Sequence, residues 1–237
     1  MIGYFTANGK SSADFNVILS DAYTYGKAER DQEFISVPGR SGDLLIDHDR
    51  YKNKTYKYQC IIHKDFDVNF SAFVGFLQSQ KGYMRMEDTF HPDEYVLARY
   101  VGEVDPKRVH RDRIGSFEMQ FNRKPQRWLK NGEKPLSFTS TGEIINNYFE
   151  AASPLIRAYG TGTLNIGSQT ITITAMASGA TYTDIDCEMQ DAYFGTTNCN
   201  GNIVLGSSGF PKLLPGSNGI TFTGLTRVDI TPRWWRL

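Results

Sequence analysis

The chain has 237 residues, of which 40% are hydrophobic and 22% charged, and its 26 Lys and Arg are balanced by 26 Asp and Glu. That length and mixture specify a folded protein with one large β-domain or two ordinary ones, and they exclude a disordered tail. A formal net charge of zero argues against a partner selected by charge alone, such as duplex nucleic acid or an anionic membrane surface.

The opening MIGYFTANGKSSADF has no basic stretch leading into an apolar one, and no run of about 18 apolar residues follows anywhere, so a soluble protein made in a cytoplasm is expected. Residues 37–53, VPGRSGDLLIDHDRYKN, place Pro38, Gly39, Arg40, Gly42 and Asp43 in one short passage between polar, strand-like regions. Two glycines flanking Arg40 and Ser41 call for a sharp turn or a close approach, which describes a phosphate cradle and a structural turn equally well. TYKYQCII then alternates, with Tyr56, Tyr58, Cys60 and Ile62 on one side of a strand. The spacing of Phe70, Phe73, Val74 and Leu77 changes the period and predicts an amphipathic helix over about 67–81, with Asp67 as N-cap and Gly82 as stop. DPKRVHRDR is expected as a solvated hairpin loop before SFEMQFN, where Phe117, Met119 and Phe121 alternate with polar neighbours.

Composition shifts after FNRKPQRWLKNGEKP, whose two prolines and many charges suit a linker or an exposed crossing strand. The expected boundary lies between Pro125 and Thr141, giving an N-terminal β-domain over 1–130, a linker over 131–141 and a second domain over 142–237. In the second part the pairs Leu164/Ile166, Ile171/Ile173, Ile220/Phe222 and Val228/Ile230 alternate between turn signals, the pattern of an antiparallel sandwich or jelly roll. The fold class is mainly β with one helix.

The usual catalytic signatures fail. His48, His63, His91 and His110 are scattered without metal-ligand spacing. Cys60, Cys187 and Cys199 are odd in number and form no CxxC pair. G-R-S-G-D and G-S-S-G-F miss the nucleophile elbow, and the glycine-rich passage lacks the GK[ST] of a phosphate loop. In TDIDCEMQDAY, Asp186 and Glu188 stand two apart and imitate a glycosidase pair. The same alternation puts Ile185, Cys187 and Met189 on the other face, so the carboxylates are expected to be solvated. Their removal should then cost less than about 0.5 kcal/mol, and Cys187→Ser should cost more. In TPRWWRL, Arg233 to Arg236 interleave Arg with Trp, a pattern that could stack on single-stranded nucleic acid. Adjacent Trp residues at a strand end more often anchor a terminus to a core.

Taken in order, VPGRSGDLLIDHDRYKN, YGTGTLNIG, TDIDCEMQDAY and ITFTGLTRVDITPRWWRL resemble the distal tail proteins of siphophages and prophages of Gram-positive hosts, from the first strands to the last residue. The resemblance implies a non-enzymatic structural protein without cofactor or metal, located at the virion tail tip and made in the host cytoplasm. It implies an N-terminal β-domain with a helix that forms a hexameric ring, and a galectin-like C-terminal sandwich. The implied partners are the tail tube protein, the tape-measure protein, and the hub and receptor-binding proteins. Pro38, Gly39, Arg40, Gly42 and Asp43 then fall in the assembly domain, where a glycine-framed Arg suits a repeated subunit contact. The alternative is a carbohydrate-binding module or lectin that uses Tyr193, Phe194, Asn198 and Asn200; a glycosidase built on Asp186 and Glu188 ranks third.

Overall fold

The structure, a computed structural model, describes residues 3–20, 26–110 and 113–237. Arg111 of the basic run lies outside the described residues. The chain divides into two compact units, Met1–Arg127 with Leu237, and Trp128–Arg236.

The first unit is a curled antiparallel sheet. Its strands are β1 (Phe5–Ala7), β2 (Lys10–Ser11), β3 (Val17–Leu19), β6 (Lys54–Ile62), β7 (Met84–Asp88), β8 (Glu94–Val101), β9 (Lys107–His110) and the long β10 (Ile114–Leu129). β4 (Arg30–Ile35) and β5 (Leu44–Tyr51) form a separate two-stranded sheet. The main sheet runs β2-β1-β7-β8-β10-β6-β3, with β9 on β10, and a bridge from Leu19 to Gly3 brings its two ends together. Alternation dictates which side chains face inward: Tyr58, Cys60 and Ile62 from β6 meet Phe117, Met119 and Phe121 from β10 in one buried core. The basic run expected as a loop is partly strand, because Lys107 and Arg108 pair with Ser116 and Gly115.

Helix α1 (Phe66–Ser79) docks on this core. It begins one residue before the expected start because Phe66 is itself buried, which extends the apolar stripe upstream through Phe70, Phe73 and Leu77. Asp65, not Asp67, is the N-cap, and Asp67 sits in the first turn, where it pairs with Arg108 at 2.8 Å. Phe73 packs on Phe15, Phe5 and Phe117 with ring centroids 5.2, 5.8 and 6.4 Å away.

The second unit is a sandwich of two antiparallel sheets. One contains β11 (Leu136–Phe138), β21 (Arg227–Thr231), β13 (Leu155–Tyr159), β16 (Thr183–Asp186), β17 (Asp191–Phe194) and β18 (Thr197–Asn198), in that spatial order. The other contains β12 (Gly142–Asn146), β20 (Gly216–Thr223), β14 (Gly162–Ile166), β15 (Gln169–Ile173) and β19 (Ile203–Leu205). Ile156, Ile185, Val228 and Ile230 from the first sheet bury against Leu164, Ile171, Ile173 and Ile220 from the second. Within 131–141, Leu136–Phe138 is laddered to Ile230–Val228, and Gly132 lies against the Trp234 backbone. Upstream of it, Pro125 sits in β10 just past the ladder with β6, which ends at Arg123, where a missing N–H costs that ladder nothing.

One glycine is fixed by close approach. Gly162 has φ +153, and a Cβ there would lie 2.1 Å from the Thr223 carbonyl oxygen. Gly162→Ala is expected to destabilise the second unit by about 2–3 kcal/mol, read as a lower chemical-denaturation midpoint; an unchanged midpoint would contradict this packing.

Candidate functional site

Two surfaces stand out, one in each unit. In the first, β4 and β5 pair in register, Phe34 opposite Leu45 and Ile35 opposite Leu44. The connecting turn follows from its sequence: Arg40 N–H donates to the Val37 carbonyl at 3.1 Å, with Pro38 and Gly39 as central residues and Gly39 at φ 80. A proline followed by a positive-φ glycine is the signature of a type II turn. Gly42 also has positive φ, and nothing lies within 4 Å of a Cβ built at either glycine, so both are required for conformation and not for space. Pro38, Gly39, Arg40, Gly42 and Asp43 are thus together at the exposed tip of a hairpin. Arg40 makes no ion pair among the described residues.

Charge and apolarity separate along this hairpin. Near its base Arg30 pairs with Asp47 at 2.7 Å and Arg50 with Asp31 at 2.7 Å, while Lys52 lies 3.7 Å from Asp31. Toward the tip Phe34 is 65% exposed and Leu45 50% exposed on one face, with Ile35, Leu44 and Ile46 exposed on the other. These side chains were missed in the sequence, although the runs EFISV and DLLID on either side of the turn carried the signal.

The second surface is the outer face of the six-stranded sheet. Register places Ser137, Asp229, Arg157, Asp184, Tyr193 and Asn198 in one row, one from each strand. Tyr193 and Asn198 therefore share a face. Phe194 has the opposite parity and packs on the core, and Asn200 is occupied in its loop, donating to Asp191 at 2.7 Å and accepting from the Ala192 N–H at 2.7 Å. Arg157, Asp184 and Asp229 are additions that no local motif announces.

Asp186 overturns the expectation of a solvated carboxylate. It is 3% exposed and is gripped by Arg233 through two bonds of 2.7 and 2.8 Å. Its Oδ1 also accepts the N–H groups of Glu188 and Met189 at 3.0 Å each, which ends β16 in a turn. Glu188 and Met189 are consequently not strand residues, and Met189 is 72% exposed. Alternation placed Asp184 and Asp186 correctly opposite Ile185, but the side chains of Arg157 and Arg233 cover that face. Cys187 is buried, and burial pushes its thiol up to about 12. Among the described residues no group of three or more His, Cys, Asp or Glu could hold a metal ion. No helix among them is long and apolar enough to cross a membrane.

A scan against known protein families finds no match. A search of curated proteins likewise finds none. Solved structures do match. The Dit (gp 19.1) protein of phage SPP1, described as a paradigm of the hub adsorption apparatus in phages infecting Gram-positive hosts, is similar over 100% of both chains, with TM-score 0.77 and 11% identity. The chain has the fold of a distal tail protein. A chain of the phage P2 baseplate in its activated conformation with Ca matches over 97% of both chains at TM-score 0.54 and 9% identity. One from the same baseplate with Sr matches over 100% of this chain and 98% of that one, at 0.52 and 10%.

Within this distal-tail fold the Asp186–Arg233 pair makes a pH-dependent contribution to stability. Burial alone would raise the Asp186 carboxyl, but the Arg233 pair and the Met189 and Glu188 amides outweigh it and hold the carboxyl below its ordinary value. A depressed carboxyl stabilises the fold above the unfolded value, near 4, and that contribution is lost as pH falls through the folded value. Asp186→Asn should therefore cost about 2–3 kcal/mol at pH 7, with the gap to the natural protein closing below about pH 4 in denaturation midpoints. A gap that stays constant with pH would mean that charge plays no part.

Proposed function

We propose that the chain is a structural component of a phage tail tip, assembling as a homo-hexameric ring that joins the tail tube and tape-measure proteins to the hub and receptor-binding proteins. The full-length fold similarity to the SPP1 hub protein supports the class of assembly. The observation that carries the reading is the β4–β5 hairpin, whose apolar tip is exposed on both faces. A two-stranded ribbon is marginal in water by itself, and apolar side chains on both faces cannot be buried by laying one face on the parent domain. The arrangement suits insertion between surfaces of a neighbouring copy. Such a contact is heterologous, with tip on one side and receiving surface on the other, and a rotation of one sixth of a turn per copy closes it into a six-membered ring. The assembly surface is then the N-terminal unit, and Pro38, Gly39, Arg40, Gly42 and Asp43 shape the tip that enters it.

Negative-stain electron microscopy and light scattering of the purified full-length protein at high concentration are expected to show hexameric rings. Replacing both Phe34 and Leu45 with Glu should abolish the rings and leave a folded monomer of unchanged melting temperature, since neither side chain is part of the core. Arg40→Glu should weaken assembly less, by changing charge at the turn alone. A natural protein that stays strictly monomeric would refute this reading, and so would rings that survive the double substitution.

A further inference from the structure

The five-stranded sheet of the second unit ends on an open edge. β19 pairs with β15 on one side only, with Ile171 opposite Leu205, Thr172 opposite Val204 and Ile173 opposite Ile203. The Gly206 N–H donates to the Thr170 carbonyl at 2.9 Å and the Thr174 N–H to the Asn202 carbonyl at 2.8 Å. Residues 202, 204 and 206 therefore turn their backbone groups toward β15, and those of Ile203 and Leu205 point the other way. The Ile203 N–H is taken by the Asn200 carbonyl. The Ile203 carbonyl, the Leu205 N–H and the Leu205 carbonyl have no hydrogen-bond partner among the described residues. Beside them lies a cavity of about 430 Å³ lined by Gln190, Asn200, Ile203, Val204, Leu205 and Phe210. Ile203, Leu205 and Phe210 also pack against the sandwich core, so the apolar wall of the cavity is the flank of that core.

We propose that this edge takes an extended segment of a partner protein as an added strand, with one apolar side chain of that segment seated in the cavity. The backbone selects the occupant. An acceptor, a donor and an acceptor at strand spacing match the main chain of another extended segment: the residue opposite Leu205 exchanges two bonds with it, and a residue two positions along donates to the Ile203 carbonyl. A side chain opposite Leu205 lies on the same face of the sheet as Leu205, which is the core side, where the cavity offers it an apolar wall. No ionisable group lines the cavity, so the seated side chain is uncharged. Edge composition singles out the same strand. The two sheets end on β11, β18, β12 and β19. β11 (LSF), β18 (TN) and β12 (GEIIN) each contain polar residues, whereas β19 is Ile-Val-Leu with Val204 57% exposed. It carries neither the charge nor the proline that turns further strands away from an edge. The site lies within the second unit and does not depend on ring assembly, so either reading can fail alone.

Amide NMR on the isotope-labelled full-length protein tests this. The probes are blocked heptapeptides with Thr at the first, third, fifth and seventh positions and Val, Leu, Ile or Phe at the others. At least one is expected to bind with a Kd below about 1 mM, to shift the amides of residues 203–205 most, and to slow hydrogen exchange at the Leu205 N–H. N-methylation of the central peptide residue removes its donor to the Leu205 carbonyl and should weaken binding about tenfold or more, an effect that apolar adhesion alone would not show. Leu205→Pro removes the outward donor of the strand while leaving the bonds between Val204 and Thr172, and should weaken binding by a similar factor. If that variant does not fold, the N-methylated peptide on the natural protein decides the matter. Absence of binding by every peptide would overturn the proposal, as would binding that leaves residues 203–205 unshifted or is undiminished by N-methylation. Shifts of those amides with protein concentration alone would replace the partner segment with a second copy of this chain.

Discussion

The first unit depends on Phe73. From the middle of its helix this ring meets Phe15 beside the start of β3, Phe5 from β1 and Phe117 from β10, so a single side chain ties the helix to three separated parts of the sheet. Alternate side chains of a curled sheet converge on its concave side, and a helix carrying a bulky stripe fills the space they leave. Phe5 in turn touches Phe121 and Tyr58, which carries the same packing across to β6.

Because that core is complete without it, the β4–β5 hairpin is left over. Its own stability comes from the backbone ladder and from charge pairs near the base, which are solvent-exposed and screened by salt. Its apolar tip has no counterpart in the core cluster. Five apolar residues, Phe34, Ile35, Leu44, Leu45 and Ile46, thus leave hydrophobic area in water along one exposed ribbon. The type II turn keeps the tip narrow, and its glycines leave the surface around Arg40 free of further side-chain bulk.

In the second unit the polar face is held by cross-strand and cross-turn Arg–carboxylate pairs. Arg233, itself in left-handed backbone at φ 57, reaches from the passage after β21 to Asp186 at the end of β16. It thereby fastens the turn that Asp186 organises to the passage leading to Trp234, which packs in the core. Arg157 makes the equivalent grip on Asp184 one register step away and orders the row in which Tyr193 and Asn198 also stand. Planar, bidentate guanidinium contacts suit such a face because they fix direction as well as distance.

Features governed by local period and turn chemistry are legible in the residues alone. Two-residue alternation placed Tyr58, Cys60, Phe117, Met119 and Phe121 inside, a change of period located the helix to within a residue or two, and the proline–glycine turn was visible in VPGR. Which polar faces are covered and which apolar residues are not depends on contacts between distant segments. Asp186 reads as a wet carboxylate until Arg233, 47 positions later in the chain, is brought onto it. Phe34 and Leu45 read as ordinary strand residues until both faces of their hairpin prove to be open. Alternation fixes the face on which a side chain lies, but burial depends on what packs against that face, and those neighbours come from distant parts of the chain.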